Sequence, residues 1–399
     1  VTVTVDPTRP LAGVRIVEIS SFVAVPLAGM TLAQLGADVV RVDPIGGAAD
    51  YHRWPLTDAG ESIYWAGLNK GKRSLAVDMR SQDGRDVVTR LITDSGVFLT
   101  NVTGRDWHAY ETLRARRPDL IQVEVSGRAD GGTAVDYTVN AGIGFPLATG
   151  APESAAPVNH VLPAWDVSCG LYAALAVVTA LRHRDSTGAG QHVSIPLENV
   201  ALATASNLSL LTEAMVCGTS RARIGNAVYG TYGQDFTGSD GSVFMVVALT
   251  NRHFRDLTAL TGTADDVAAL ADSLGADFTD EGERYAHRDA LSALFAGWFA
   301  RHTGEEITAA LDDTSVLWER YRTFAEAADR VADNPLFTVL QQPRIGRYAA
   351  TGVPMAIDGT YPPPAVAPAL GDDTATVLGD WLGFDARRID ALRAAGAVA

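Results

Sequence analysis

The chain has 399 residues, 47% of them hydrophobic, and a formal charge of -15 from 47 acids against 32 bases. Such length and apolar content suffice for a large core divided over two domains, and the acidic balance argues against nonspecific binding to nucleic acid or an anionic membrane. Cys169 and Cys217 make neither a metal-ligand spacing nor a disulfide framework, so two core thiols in a reducing cytoplasm are expected.

The residues up to Pro10 carry no basic start followed by an apolar block, and no charge-free run of membrane length follows, so a soluble chain without a secretory leader is expected. Residues 14–19 alternate apolar and polar side chains like a strand, 26–35 read as a helix rich in small residues, and 39–42 return to a strand. This is a βαβ opening. Its turn lacks Gly-x-Gly-x-x-Gly, so a nicotinamide cofactor is not supported. A short strand at 75–77, a helix over 82–92 and a strand at 97–100 follow. Asn101 therefore stands at a strand's carboxyl end, where an open parallel sheet gathers ligands, although an Asn there can also simply close a turn. Strands at 120–125 and 193–195 complete an alternation that predicts an α/β fold.

Between those two strands, Val167, Leu171, Ala174, Leu175, Val178 and Leu181 recur at helical spacing and predict one buried stripe. Just ahead of them, the run Asn159-His160-Val161-Leu162-Pro163-Ala164-Trp165 ends in Asp166. An Asp at a helix start is ordinarily a cap for free backbone amides. Backed by Trp165 and small residues, the same carboxylate also suits a nucleophile. A compact basic cluster, Lys70, Lys72 and Arg73, offers an anion site or a solvated turn.

From Leu208 onward the character changes. Residues 229–236 and 238–241 are turn-rich, 242–249 read as a strand, and 265–299 are mostly helical and charged. The expected organisation is a large domain over 1–207, a smaller α+β domain over 208–332, and a return of 333–399 to the large domain, ending in a helical pair over 373–392.

The residues Leu11-Ala12-Gly13-Val14-Arg15-Ile16-Val17-Glu18, Leu35-Gly36-Ala37-Asp38-Val39-Val40-Arg41-Val42, Asn69 through Ser74, Asn101, Asp136-Tyr137, Asp166 before Gly170-Leu171-Tyr172-Ala173-Ala174, and Gly188-Ala189-Gly190-Gln191 resemble the class III CoA-transferase family in family order. The resemblance implies an interlocked homodimer with a Rossmann-like large domain and an inserted smaller domain. It implies a catalytic aspartate at Asp166, with coenzyme A entering as part of the substrate and of a covalent intermediate and no tightly bound cofactor or metal. It places Arg41, Lys72, Arg73 and Asn101 on CoA, and His52, Arg53, Arg105, Asp136 and His160 as candidates for the acyl part. His160 can equally be a structural residue, and Arg105 falls in a stretch shorter than the family pattern.

Two departures separate this chain from the family's racemases. Val135 stands where they carry a His, and 247–251 hold no Glu, so their proton-transfer pair is missing. The glycine-rich lid of the formyl-CoA transferases is not evident either. The implied activity is intramolecular transfer of CoA between the C1 and C4 carboxyl groups of mesaconyl-CoA or a related dicarboxylyl-CoA. Intermolecular transfer and a noncatalytic acyl-CoA-binding protein are the alternatives.

Overall fold

The computed structural model describes residues 6–103 and 106–399. They form two compact units. One takes in the chain up to Ile143, Val161–Thr212 and Val331–Ala399; the other takes in Gly144–His160 and Glu213–Arg330.

In the first unit the chain runs β1 (Arg15–Ile19), α1 (Ala24–Gln34), β2 (Asp38–Asp43), α2 (Ile63–Leu68), β3 (Arg73–Ala76), α3 (Gln82–Ser95), β4 (Val97–Thr100), α4 (Tyr110–Arg114), β5 (Ile121–Ser126) and α5 (Asp136–Ile143). After α6 (Phe145–Ala148), which belongs to the second unit, it resumes with α7 (Ala164–Thr187), β6 (His192–Pro196) and α8 (Leu197–Asn207). The six strands are all parallel in the order β3-β2-β1-β4-β5-β6. Parallel strands covered on both faces are written in Val, Ile and Leu. Val17 accordingly lies in register with Val40 on one side and Phe98 on the other, all three without solvent access. The strand order reverses between β1 and β4, and at the carboxyl ends of two such strands the outgoing loops part and leave a crevice.

Helix α7 corrects the expected buried stripe. Leu171, Leu175 and Val178 are 53%, 55% and 39% exposed; Ala174 and Leu181 of that stripe are buried, together with Cys169, Gly170, Ala173, Val177 and Ala180. The reason is close approach to α1. A β-carbon on Gly170 would stand 2.6 Å from the Ala24 carbonyl oxygen and 3.2 Å from Leu27, so the packed face must be small. Among the described residues α7 is the one single helix long and apolar enough to cross a membrane, and half of that apolar stretch is buried in the protein.

In sequence, α9 (Leu210–Cys217) carries the chain into the second unit, an α+β body with the antiparallel sheet β7 (Tyr232–Thr237), β8 (Val243–Ala248) and β9 (Leu317–Arg320). Helices α10 (Asn251–Thr261), α11 (Ala264–Leu274), α12 (Glu281–Ala286), α13 (Arg288–Phe299), α14 (Gly304–Asp312) and α15 (Phe324–Ala328) complete it. Tyr232, Phe244, Phe254, Phe295 and Phe299 form its core. Part of the stretch read as turn-rich is thus strand β7.

The returning C-terminal segment forms an antiparallel hairpin, β10 (Phe337–Gln342) and β11 (Gly346–Thr351), which periodicity did not announce. It then forms α16 (Thr374–Leu382) and α17 (Ala386–Ala394). Val377, Leu378 and Trp381 of α16 enter the same core as Val40, Leu75 and Leu91, so this segment is part of the large unit's interior rather than an appendage.

Candidate active site

The first turn of α7 places Asp166, and its cap is not Asp166. Oδ2 of Asp136, at the start of α5, accepts the backbone N–H groups of Trp165 at 2.7 Å and of Asp166 at 3.2 Å. Trp165 Nε1 reaches Asn140 Oδ1 on the same α5 helix at 3.1 Å. Asp136 is 2% exposed, and its Oδ2 serves as the buried cap of α7. The sequence offered two readings of Asp166. Because Asp136 satisfies the helix start from thirty residues upstream, the Asp166 carboxylate makes no hydrogen bond among the described residues.

Asp166 lies one turn before Gly170 on the same face of α7, hence beside the start of α1. There the β1–α1 turn runs through Ser20, Ser21 and Phe22, and Phe22 has φ +65°, an uncommon conformation for a bulky residue. Asn101, ending β4, clamps this turn by accepting the Ser21 N–H at 3.0 Å and donating to the Ser21 carbonyl at 2.9 Å. Its amide is spent on backbone, so Asn101 shapes the crevice between β1 and β4.

The electrostatics of Asp166 are those of a carboxylate kept partly from water. Burial first, and then the neighbouring Asp136 charge, push it up to about 6, while Arg53 pulls it back. The Cys169 thiol is pushed up to about 12 by burial and by Asp166, so it stays a neutral core group. Arg53 is exposed, and its guanidinium has no hydrogen bond or ion pair among the described residues. Its guanidinium stands 5.3 Å from the ring centres of both Phe22 and Tyr64, a cation held by aromatic faces. Tyr64, which sequence reasoning missed, is pushed up to about 12 by burial and feels Arg53, Asp50 and Asp166. It is therefore a protonated phenol next to the two charges. Nothing in a lone Tyr within Ile63-Tyr64-Trp65 marks it beforehand.

Arg41, Lys72 and Arg73, the basic residues expected on CoA, are held by carboxylates, and Lys70 of the expected basic cluster is buried with its ammonium on the Gly67 carbonyl. Arg41 is 1% exposed and bonded to Asp43, Asp50, Asn69 and the Ser20 carbonyl. The Lys72 ammonium donates to Glu18 Oε1 at 2.8 Å and Asn69 Oδ1 at 2.9 Å, and burial lowers it to about 8. Glu18 and Arg41 are in register on neighbouring strands, and a β-carbon on Gly29 would stand 1.7 Å from Glu18 Oε2, so α1 closes over this buried network. Arg73 opens β3 and pairs with Asp38 and Asp380, towards the amino ends of the strands. None of the three has a free donor at the crevice. The physical reason is that a basic residue in a parallel strand is enclosed by the helices on both faces and must find carboxylates there.

Basic side chains do line a cavity of about 840 Å³ over the carboxyl ends of β1, β2 and β4. They are Arg80 and Arg85, opposite Ser20, Ser21, Val102 and Trp107. The Arg80 side chain is 94% exposed. His52 instead packs edge-on against Tyr51 and lines a separate cavity of about 460 Å³ with Lys72, Trp65 and Arg344. His160 falls in the second unit, and Arg105 lies outside the described residues.

The profile described as CoA-transferase family III matches residues 11–374. The chain is 44% identical, over 98% of both sequences, to 2-methylfumaryl-CoA isomerase of Chloroflexus aurantiacus. It is 28% identical, over 95% of both, to succinyl-CoA--D-citramalate CoA-transferase of the same organism. Among solved structures it is similar to a CAIB/BAIF family protein from Brucella suis, with TM-score 0.77, 26% identity and coverage of 93% of this chain and 99% of that one. An α/β fold, a profile matched over most of the chain and a full-length relative together identify this protein as an enzyme of the class III CoA-transferase family, with coenzyme A as part of its substrate.

Proposed function

We propose that the enzyme moves coenzyme A between the C1 and C4 carboxyl groups of mesaconyl-CoA, or a closely related dicarboxylyl-CoA, with Asp166 as nucleophile. The observation that carries this reading is the full-length likeness to an isomerase of that substrate, combined with a carboxylate released from capping duty.

Asp166 attacks the thioester carbonyl, and collapse of the tetrahedral adduct expels the CoA thiolate and leaves an acyl-aspartyl anhydride. The thiolate attacks the aspartyl carbonyl of that anhydride, forming an aspartyl-CoA thioester and freeing the acyl carboxylate. The other carboxylate of the same molecule then attacks the aspartyl thioester and expels the thiolate again. Attack of the thiolate on the acyl carbon of this second anhydride gives the isomeric thioester and restores Asp166. No proton is gained or lost overall. A carboxylate raised to about 6 is ionised at neutral pH and more basic than an ordinary Asp, which favours the first step.

Arg53 is in place for the carboxylate that is not reacting, because its charge is unpaired and faces the field of Asp166. Tyr64 supplies a phenolic donor beside it. The cavity bearing Arg80 and Arg85 suits the phosphates of CoA at the crevice of a parallel sheet. For assembly we infer a homodimer in which the exposed face of α7, with Leu171, Tyr172, Leu175 and Val178, is covered by a second copy.

The test is incubation of the protein with mesaconyl-C1-CoA, with and without labelled free acids, followed by mass spectrometry of the positional isomers. Conversion to the C4 thioester without uptake of label supports intramolecular transfer. A requirement for an added carboxylate replaces it with intermolecular transfer, the activity for which the citramalate relative is named. Asp166→Asn should abolish exchange while leaving CoA binding intact.

A further inference from the structure

The mechanism above leaves Arg41 unused, yet its donors are the most fully committed in the large unit. Nε lies 3.2 and 3.1 Å from the two Asp43 carboxylate oxygens, and Nη1 donates to Asn69 Oδ1 at 3.1 Å. Nη2 donates to the Ser20 carbonyl at 3.2 Å and to the Asp50 oxygens at 3.0 and 2.9 Å. The guanidinium also lies 4.3 Å from the ring centre of Trp65. These partners are the roots of separate pieces of the candidate site. Ser20 precedes the turn that carries Phe22, Trp65 follows Tyr64, and Asp50 starts a turn closed by the Arg53 N–H on the Asp50 carbonyl at 3.3 Å.

Asp50 makes this arrangement directional. It is 1% exposed, and among the described residues its carboxylate has no hydrogen-bond partner except Arg41. A buried carboxylate costs free energy unless a cation faces it, so the pair forces the Asp50–Arg53 turn down onto β2. Ser62 Oγ donates to the Arg53 carbonyl at 2.6 Å and fixes the other side of the same residue, while Ser62 also caps α2, the helix of Tyr64 and Trp65.

We propose that Arg41 is a positioning residue which, through Asp50, sets where the exposed Arg53 guanidinium stands, so that the enzyme prefers acyl-CoA esters bearing a second carboxylate. This rests on the reading of Arg53 as the seat of that carboxylate. The loop from Pro44 to Ser62 contains no helix or strand; the Leu56–Ser62 bridge and the Ser62 hydroxyl hold the far side of Arg53, and the Arg41–Asp50 pair holds the near side. A guanidinium fork bonded to β2, to the β1–α1 turn, to this loop and to the residue that ends α2 ties these pieces together.

The experiment measures calorimetric dissociation constants in the full-length protein carrying Asp166→Asn, where ligands bind without turnover. Succinyl-CoA and butyryl-CoA are compared, since they differ in the terminal carboxylate. Arg53→Ala should weaken succinyl-CoA about tenfold and leave butyryl-CoA within twofold. Asp50→Asn should show the same selective loss, and the Asp50→Asn/Arg53→Ala pair should be no weaker than Arg53→Ala alone. Arg41→Lys, which keeps the charge and loses the fork, is the second variant and should match Asp50→Asn even where the latter folds poorly. Parallel loss of both ligands, or losses that add in the double variant, overturns the proposal while leaving Arg53 as the carboxylate seat. Absence of a selective loss in Arg53→Ala overturns both. Binding in this background does not depend on the isomerase assay, so failure of that activity reads separately.

Discussion

Asp136→Asn separates the charge beside Asp166 from the hydrogen bonds that hold the start of α7. The asparagine carbonyl oxygen can still accept the Trp165 and Asp166 N–H groups, so the cap geometry survives while the negative charge is lost. Burial, the larger cause of the rise of Asp166 to about 6, stays; the Asp136 contribution goes; Arg53 then pulls against burial alone. A neighbouring carboxylate ordinarily accounts for roughly one unit, or ~1.4 kcal/mol, so the acid limb of kcat/KM should move from near pH 6 to about pH 5. At pH 5 the ionised fraction of Asp166 would rise from about one-tenth to about one-half, a roughly fivefold gain relative to the plateau. The assay is a pH profile of acyl-CoA exchange from pH 4.5 to 8, with circular dichroism at each end to confirm folding. The limb belongs to the Asp136–Asp166 pair as a coupled system. A folded variant whose limb stays put, or moves to higher pH, refutes the electrostatic coupling.

Because the folded state raises Asp166 above its ordinary value, this group contributes stability below about pH 4 that is lost as pH rises through about 6; Asp166→Asn should therefore raise stability at pH 7.5 by ~1–2 kcal/mol, with no gain near pH 4, as read by urea midpoints. Gly170→Ala drives a methyl into the Ala24 carbonyl and should cost about 2–3 kcal/mol by thermal unfolding, and an unchanged midpoint would show that α1 and α7 are not in the described close contact. Leu175→Glu puts a charge in the exposed apolar face of α7, and light scattering should show the proposed homodimer giving way to monomer; an undisturbed dimer would place the interface elsewhere.

Much of the large unit was legible because its signals are local. The strand at 97–100 ends where the alternation stops, and Asn101 follows it at the carboxyl edge as expected. Periodicity located α7 and buried Ala174 and Leu181 correctly but misplaced Leu171, Leu175 and Val178, since spacing reports that a helix has a face without saying what that face meets. Here the neighbour is α1 at a distance only Gly and Ala permit, so the large side chains turn outward. The basic residues failed in the same manner. Lys72 read as part of an anion site, and the resemblance put Arg41 on CoA, because their carboxylates, Glu18, Asp43 and Asp50, are assembled only when β1, β2 and the following loop come together.

By itself, the sequence determined the α/β class, the family and the one acid at the head of α7, because each is written in short-range pattern or in motifs kept in order. Whether that acid caps the helix or is free to react depended on Asp136, thirty residues away, reaching the Trp165 and Asp166 amides first. Which cations stand open to a ligand was decided by burial, which left Arg53 between Phe22 and Tyr64 and enclosed Arg41. Both outcomes are competitions between groups distant in the chain for the same hydrogen bonds and charges, and only the tertiary structure brings the competitors together.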